Sequence, residues 1–99
     1  MKIVILGAGK VGMTLLSLLE NSGHEITVVE RSKEACDELA SESRALMVCA
    51  DFTDPSTLDS LRLKDKDYVV AVSGEAEVNF LAAAYAKQAG AKRVIARSH

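Results

Sequence analysis

Three glycines in six residues, Gly7-Ala8-Gly9-Lys10-Val11-Gly12, separate the apolar run Ile3-Val4-Ile5-Leu6 from a stretch in which Val11, Leu15, Leu18 and Leu19 recur at helical spacing. An uninterrupted apolar run of that length predicts a strand covered on both faces, and the glycines predict a tight turn that opens directly into a helix. In such a GxGxxG turn the first glycine permits the bend. The second lets the backbone approach a pyrophosphate with no side chain in the way, and the third lets the helix pack close to the strand. The unpaired amides and dipole of the helix start then form an anion site.

The same alternation continues to the end of the chain. Gly23 predicts the stop of the first helix, and Ile26 to Val29 forms a second β-branched run ending in Glu30. Ser32 is placed to cap a helix through about Ala40, and a third strand covers about Ala45 to Cys49. Asp54-Pro55 sets a capping carboxylate before a proline, predicting a short helix over about Ser56 to Leu61. Tyr68 to Val72 reads as a fourth strand, Glu75 to Ala89 as an Ala-rich helix stopped by Gly90, and Arg93 to Ala96 as a fifth strand. Five buried strands joined through helices require right-handed crossovers. The expected fold is therefore a Rossmann-like α/β parallel sheet in the order 3-2-1-4-5, three-layer, lacking the sixth strand of the full doubly wound pattern, with its ligand crevice at the switch between strands one and four. No helix follows strand five to cover the sheet beside it, so a longer chain or a partner chain is the expected cover.

Composition narrows the function. Ninety-nine residues form one domain, residues 1–99, too short to set a catalytic domain beside a cofactor domain. Twelve Lys and Arg against 14 Asp and Glu leave a net charge of −2, which supplies no broad cationic face for nucleic acid or anionic lipid. No apolar stretch approaches the roughly 18 residues of a membrane span, and the brief run after Met1-Lys2 is too short for a signal peptide. Cys36 and Cys49, without CxxC spacing, read as buried reduced thiols, which suits a cytoplasmic protein.

Candidate ligand residues cluster at the predicted strand ends. Glu30 lies 18 residues after Gly12, close to the offset at which a carboxylate receives ribose hydroxyls, and a 2′-phosphate would meet it as a like charge, softened by adjacent Arg31. This favours NAD or an adenosine nucleotide over NADP. Lys10 reads either as a phosphate contact or as a solvated helix-start residue. Asp51 sits where an adenine would lie, or else is a turn carboxylate bonding local amides. Ser73-Gly74, across the switch point, offers backbone and hydroxyl to a second ribose or to phosphates, and Ser73 is also placed to cap the next helix. On that helix Val78, Leu81, Ala82 and Tyr85 form one apolar stripe, with Phe80, Ala83 and Ala84 apolar on other faces, which suggests a contact between chains.

The segments ILGAGKVG, HEITVVER, CADFTDPSTL, DYVVAVSGEAEVNFLAA and VIARS together resemble the TrkA-type N-terminal domain, also called the KTN or RCK nucleotide-binding domain, of prokaryotic potassium transport regulators. The resemblance covers essentially the whole chain. It implies that Gly7, Ala8, Gly9, Lys10, Val11 and Gly12 hold phosphates, Glu30 and Arg31 the adenosine ribose side, Asp51 and Phe52 the adenine, and Ser73 with Gly74 the far half of a dinucleotide. The ligand would be NAD, NADH, ATP or ADP. The implied role is regulatory: nucleotide binding alters how homo-oligomeric domains pair beneath a membrane potassium transporter or channel, peripheral to the inner face of the membrane. Lys10 stands where family members often have Arg, and Ala50 where a Gly is common. The chain also stops before the family's remaining N-terminal elements and its separate C-terminal ligand-binding domain.

The rival reading is the cofactor-binding half of an NAD-dependent oxidoreductase. Hydride transfer needs a substrate site and usually a proton donor beside the nicotinamide. His24 falls near the end of the first helix, remote from the strand C-termini, His99 is the last residue, and Tyr85 is followed four residues on by Ala89, so a YxxxK pair is missing. No catalytic residue is expected, nor any metal ligand.

Overall fold

A computed structural model describes residues 1–98; the expectation for His99 lies outside the described residues. The chain alternates as β1 (Lys2–Leu6), α1 (Lys10–Leu19), β2 (Glu25–Glu30), α2 (Lys33–Glu42), β3 (Leu46–Cys49), α3 (Pro55–Ser60), β4 (Tyr68–Ala71), α4 (Ala76–Gln88) and β5 (Arg93–Ala96). All four strand pairings are parallel, and the order is β3-β2-β1-β4-β5, as the sequence predicts. A single 3₁₀ turn at Leu63–Asp65 was not foreseen; Leu63 enters the core there, and Arg62 before it adopts a left-handed backbone.

Two apolar layers sandwich the sheet. Val4, Leu6, Val29, Val69 and Ala71 pack with Leu58, Ala82 and Ala86 on the α3–α4 side, while Ile3, Ile5, Val28 and Val70 pack with Leu16 and Leu39 on the α1–α2 side. Alternate residues of one strand thus serve opposite layers. Burial on both faces holds only for the central strands. In β3 and β5 no residue is fully buried, which corrects the expectation of five buried strands, and Cys49 at the end of edge strand β3 is exposed although Cys36 is buried. An edge strand has a neighbour on one side alone, so its ends stay open to solvent.

The α4 stripe is also corrected. The helix turns Asn79, Ala82, Ala83 and Ala86 to the protein, leaving Leu81 68% and Phe80 69% exposed. On the other face, Met1, Ile3, Leu15, Leu19, Tyr68, Val70 and Ile95 line an apolar trough of about 380 Å³ that no helix covers among the described residues.

Among the glycines the tightest fit lies between α1 and the end of β1. A Cβ on Gly12 would sit 2.0 Å from the Gly7 carbonyl oxygen, so only hydrogen fits. Gly7 itself has φ +103° and would bring a Cβ within 2.9 Å of the Ser73 nitrogen. Gly9, by contrast, faces open space. Gly12→Ala should therefore lower unfolding stability by about 2 kcal/mol or more in urea titration, against the ~1 kcal/mol gain that helix propensity alone would give. Gly9→Ala should leave stability nearly unchanged.

Candidate functional site

The C-terminal ends of β1, β2 and β4 open into a cleft of about 480 Å³. Of the residues singled out in the sequence, Gly7, Gly9, Glu30, Arg31, Asp51, Phe52, Ser73 and Gly74 line it, joined by Thr53, Glu75 and Val78. Ala8 and Gly12 are buried behind the wall. Lys10 and Val11 are exposed on the first turn of α1, beside the cleft but not among its lining residues.

The glycine turn reaches the cleft with unspent donors. Gly9 is the N-cap of α1, no side chain caps the helix, and its first turn carries no acidic residue. The opening amides are thus available to an anion, and the space above Gly9 that a Cβ would fill is free. The donor set and the space fit a phosphate group.

Glu30 closes the turn from the β2 side. Its Oε1 accepts from the Ala8 amide at 2.9 Å and its Oε2 from the Ser32 amide at 2.7 Å, so one carboxylate braces both the glycine turn and the start of α2. Each oxygen retains a further acceptor position for a hydroxyl. Arg31 reaches across the mouth to Glu75, 4.0 Å away, with both side chains more than 60% exposed. Water screens such a pair, so it bridges the cleft without locking it.

Asp51 follows the turn reading in detail. Its Oδ1 accepts from the Thr53 hydroxyl at 2.7 Å and the Thr53 amide at 2.9 Å. These bonds, the hydroxyl first, hold the carboxyl below its ordinary range, with a smaller contribution from the Arg31 charge. Phe52 is only 8% exposed and packs in the core under the cleft, presenting part of its surface there.

Ser73 is not the N-cap of α4, a position Glu75 holds without a side-chain bond of its own, although the Ser73 hydroxyl accepts from the Glu75 amide at 3.3 Å. Instead Ser73 is held by Asn79, a residue that drew no attention in the sequence. Asn79 is fully buried; its Oδ1 accepts from the Ser73 amide at 2.9 Å and the Ser73 hydroxyl at 2.6 Å, and its Nδ2 donates to the carbonyls of Ser73 at 2.9 Å and Arg97 at 3.2 Å. A polar side chain in line with Ala82, Ala83 and Ala86 was the available signal. His24 lies far from the cleft, as expected, with its Nδ1 3.0 Å from the amino terminus.

Residues 3–99 match the TrkA-N domain. The chain belongs to that family. It is 36% identical over 97 residues to a Trk system potassium uptake protein TrkA homolog of Methanothermobacter thermautotrophicus, an alignment covering 98% of this chain and 45% of that protein. This member thus spans less than half the length of that relative. Among solved structures, the NAD(P)-binding domain of an exopolyphosphatase-related protein from Archaeoglobus fulgidus superposes with a TM-score of 0.75 at 23% identity, covering 95% of this chain and 86% of that one. The TrkA-N domain of inner membrane protein ybaL from Escherichia coli superposes at 0.68 and 19% identity, covering 96% and 86%. The Rossmann-like fold of the TrkA-N family is common to all three. No helix among the described residues is long and apolar enough to cross a membrane.

Asn79→Ala should cost about 2–4 kcal/mol in urea unfolding, because it removes four hydrogen bonds of a fully buried side chain and leaves the half-buried Ser73 amide and two carbonyls without that partner.

Proposed function

We propose that this TrkA-N domain binds NAD(H) or an adenine nucleotide in the cleft between β2 and β4 and, as part of a potassium uptake system, converts occupancy into altered assembly with a membrane transporter. The observation that carries the reading is one cleft with an uncapped helix start above an open Gly9 on one wall and the Glu30 carboxylate on the next. The α1 amides supply the phosphate subsite and Glu30 the ribose subsite, with Asp51 and Phe52 toward the adenine and Ser73-Gly74 toward the second half of a dinucleotide. Lys10, exposed at the first helical position, adds positive charge beside the phosphates. The names of the relatives, Trk system potassium uptake proteins, support a place in potassium uptake. The proposed location is the cytoplasmic face of the membrane, reached through the partner.

The cleft has a physical connection to a contact surface. Asn79 joins the Ser73 wall to α4, and α4 presents Phe80 and Leu81 to solvent beside an apolar groove lined by Phe52, Pro55, Leu58 and Tyr85. A ligand that orders the Ser73-Gly74 wall thereby biases the orientation of α4. We propose pairing of two copies through this helix, with the nucleotide shifting the balance between arrangements according to its differential affinity. An oxidoreductase role has less support: the cleft is lined by carboxylates, with no His, Lys, Tyr or Cys among its lining residues to donate a proton.

Calorimetry with NAD, NADH, NADP, ATP, ADP and AMP tests the reading. Micromolar binding of NAD(H) or an adenine nucleotide, weaker NADP binding and a ligand-dependent change in light scattering are expected. Absence of binding by all six ligands would refute it. Glu30→Gln should weaken NAD binding about tenfold and narrow the gap between NAD and NADP, a ratio that loosening of the glycine turn alone would not change.

A further inference from the structure

Two thiols that the cleft does not use meet behind Glu30. Cys36, in the first turn of α2, is 5% exposed and donates its thiol to the Glu30 carbonyl at 3.1 Å. Cys49 ends β3 as the register partner of that same residue, and neighbouring strands run about 4.8 Å apart. Val29 and Val48 face the α3–α4 layer, while Val28 and Met47 face the α1–α2 layer. Alternation therefore turns Glu30 and Cys49 toward α2, where Cys36 lies. Burial, and then the neighbouring Cys49 thiol, push the Cys36 thiol up to about 12. Cys49 is exposed. The pair thus sets an accessible thiol and a buried one on the same side of the sheet, on either side of the residue that braces the glycine turn.

We propose that Cys36 and Cys49 are a disulfide-forming modification site for a peroxide oxidant, and that closing the bond alters the nucleotide cleft through Glu30. In the first step the Cys49 thiolate attacks one oxygen of hydrogen peroxide, breaking the O–O bond to give a Cys49 sulfenic acid and hydroxide. In the second the Cys36 sulfur displaces the sulfenic oxygen, forming the S–S bond, and the thiol proton leaves with that hydroxyl as water. Two thiols lose two electrons and the peroxide gains them. The accessible cysteine meets the oxidant, and the buried one, a poor nucleophile toward solvent, is positioned to resolve it. Closure removes the S–H bond to the Glu30 carbonyl and draws the first turn of α2 toward β3. Ser32, whose amide holds Glu30 Oε2, caps that same turn. The link to the cleft rests on the nucleotide-binding reading; the disulfide itself does not.

The test treats the reduced protein with a slight excess of hydrogen peroxide, alkylates the remaining thiols, and compares intact mass and non-reducing tryptic maps. A mass loss of about 2 Da, with peptides 34–44 and 45–62 joined and released by dithiothreitol, is the expected result. Nucleotide affinity should fall at least threefold on oxidation and recover on reduction. Cys49→Ser, at an exposed edge position, should abolish both changes. Oxidation of Cys49 to sulfinic acid with Cys36 still alkylatable, or no oxidation of either, overturns the site. A disulfide formed with unchanged affinity overturns its coupling to the cleft. Failure of the reduced protein to bind any nucleotide defeats the nucleotide reading and that coupling together, and leaves the mass result to decide the disulfide.

Discussion

The distance from Gly12 to the Gly7 carbonyl is the constraint from which the rest of the molecule follows. Because only hydrogen lies between them, α1 starts directly on the end of β1 and directs its opening amides out of the sheet. The same Gly7 lies against Ser73, so the turn after β1 and the turn after β4 form the two sides of one opening. Asn79 then secures the β4 side by four hydrogen bonds from the interior of α4. Backbone packing, more than any charged side chain, builds the cleft.

Charge acts on that frame at its edges. Glu30 is both a structural brace and the candidate ribose acceptor, since its two bonds to amides leave lone pairs free. Arg31, offered by the sequence as a partner for an extra phosphate, is shared among Glu75 across the mouth and the neighbouring Asp51 charge. The carboxylates around that one guanidinium place the unneutralised negative charge at the proposed ribose end and leave the glycine turn as the proposed anion-binding end. A nucleotide with phosphates at one end and free hydroxyls at the other matches this polarity.

The departures from expectation share a cause. Strand patterning alone did not separate central from edge positions, because β-branched runs look alike in both; the edge places of β3 and β5 expose Cys49 and Ile95. Small alanines around α4 left its buried face ambiguous, and the protein settled it by burying Asn79 and turning Phe80 and Leu81 outward. Ser73 does lie at the cleft wall, but besides its longer bonds to Glu75 at the helix start its main partner proved to be a side chain six residues on.

By itself the sequence determined the alternation of strands and helices, the parallel sheet and the two ends of the cleft. These depend on local periodicity, on glycines with stereochemical roles, and on an acid at the end of a strand. Tertiary structure decided which polar groups meet over long separations: Arg31 with Glu75, Asn79 with Arg97, and Cys36 with Cys49 beneath Glu30. Such pairs are created by strand register and helix rotation, which no local pattern encodes, so a residue's chemistry could be read from the chain while its partner could not.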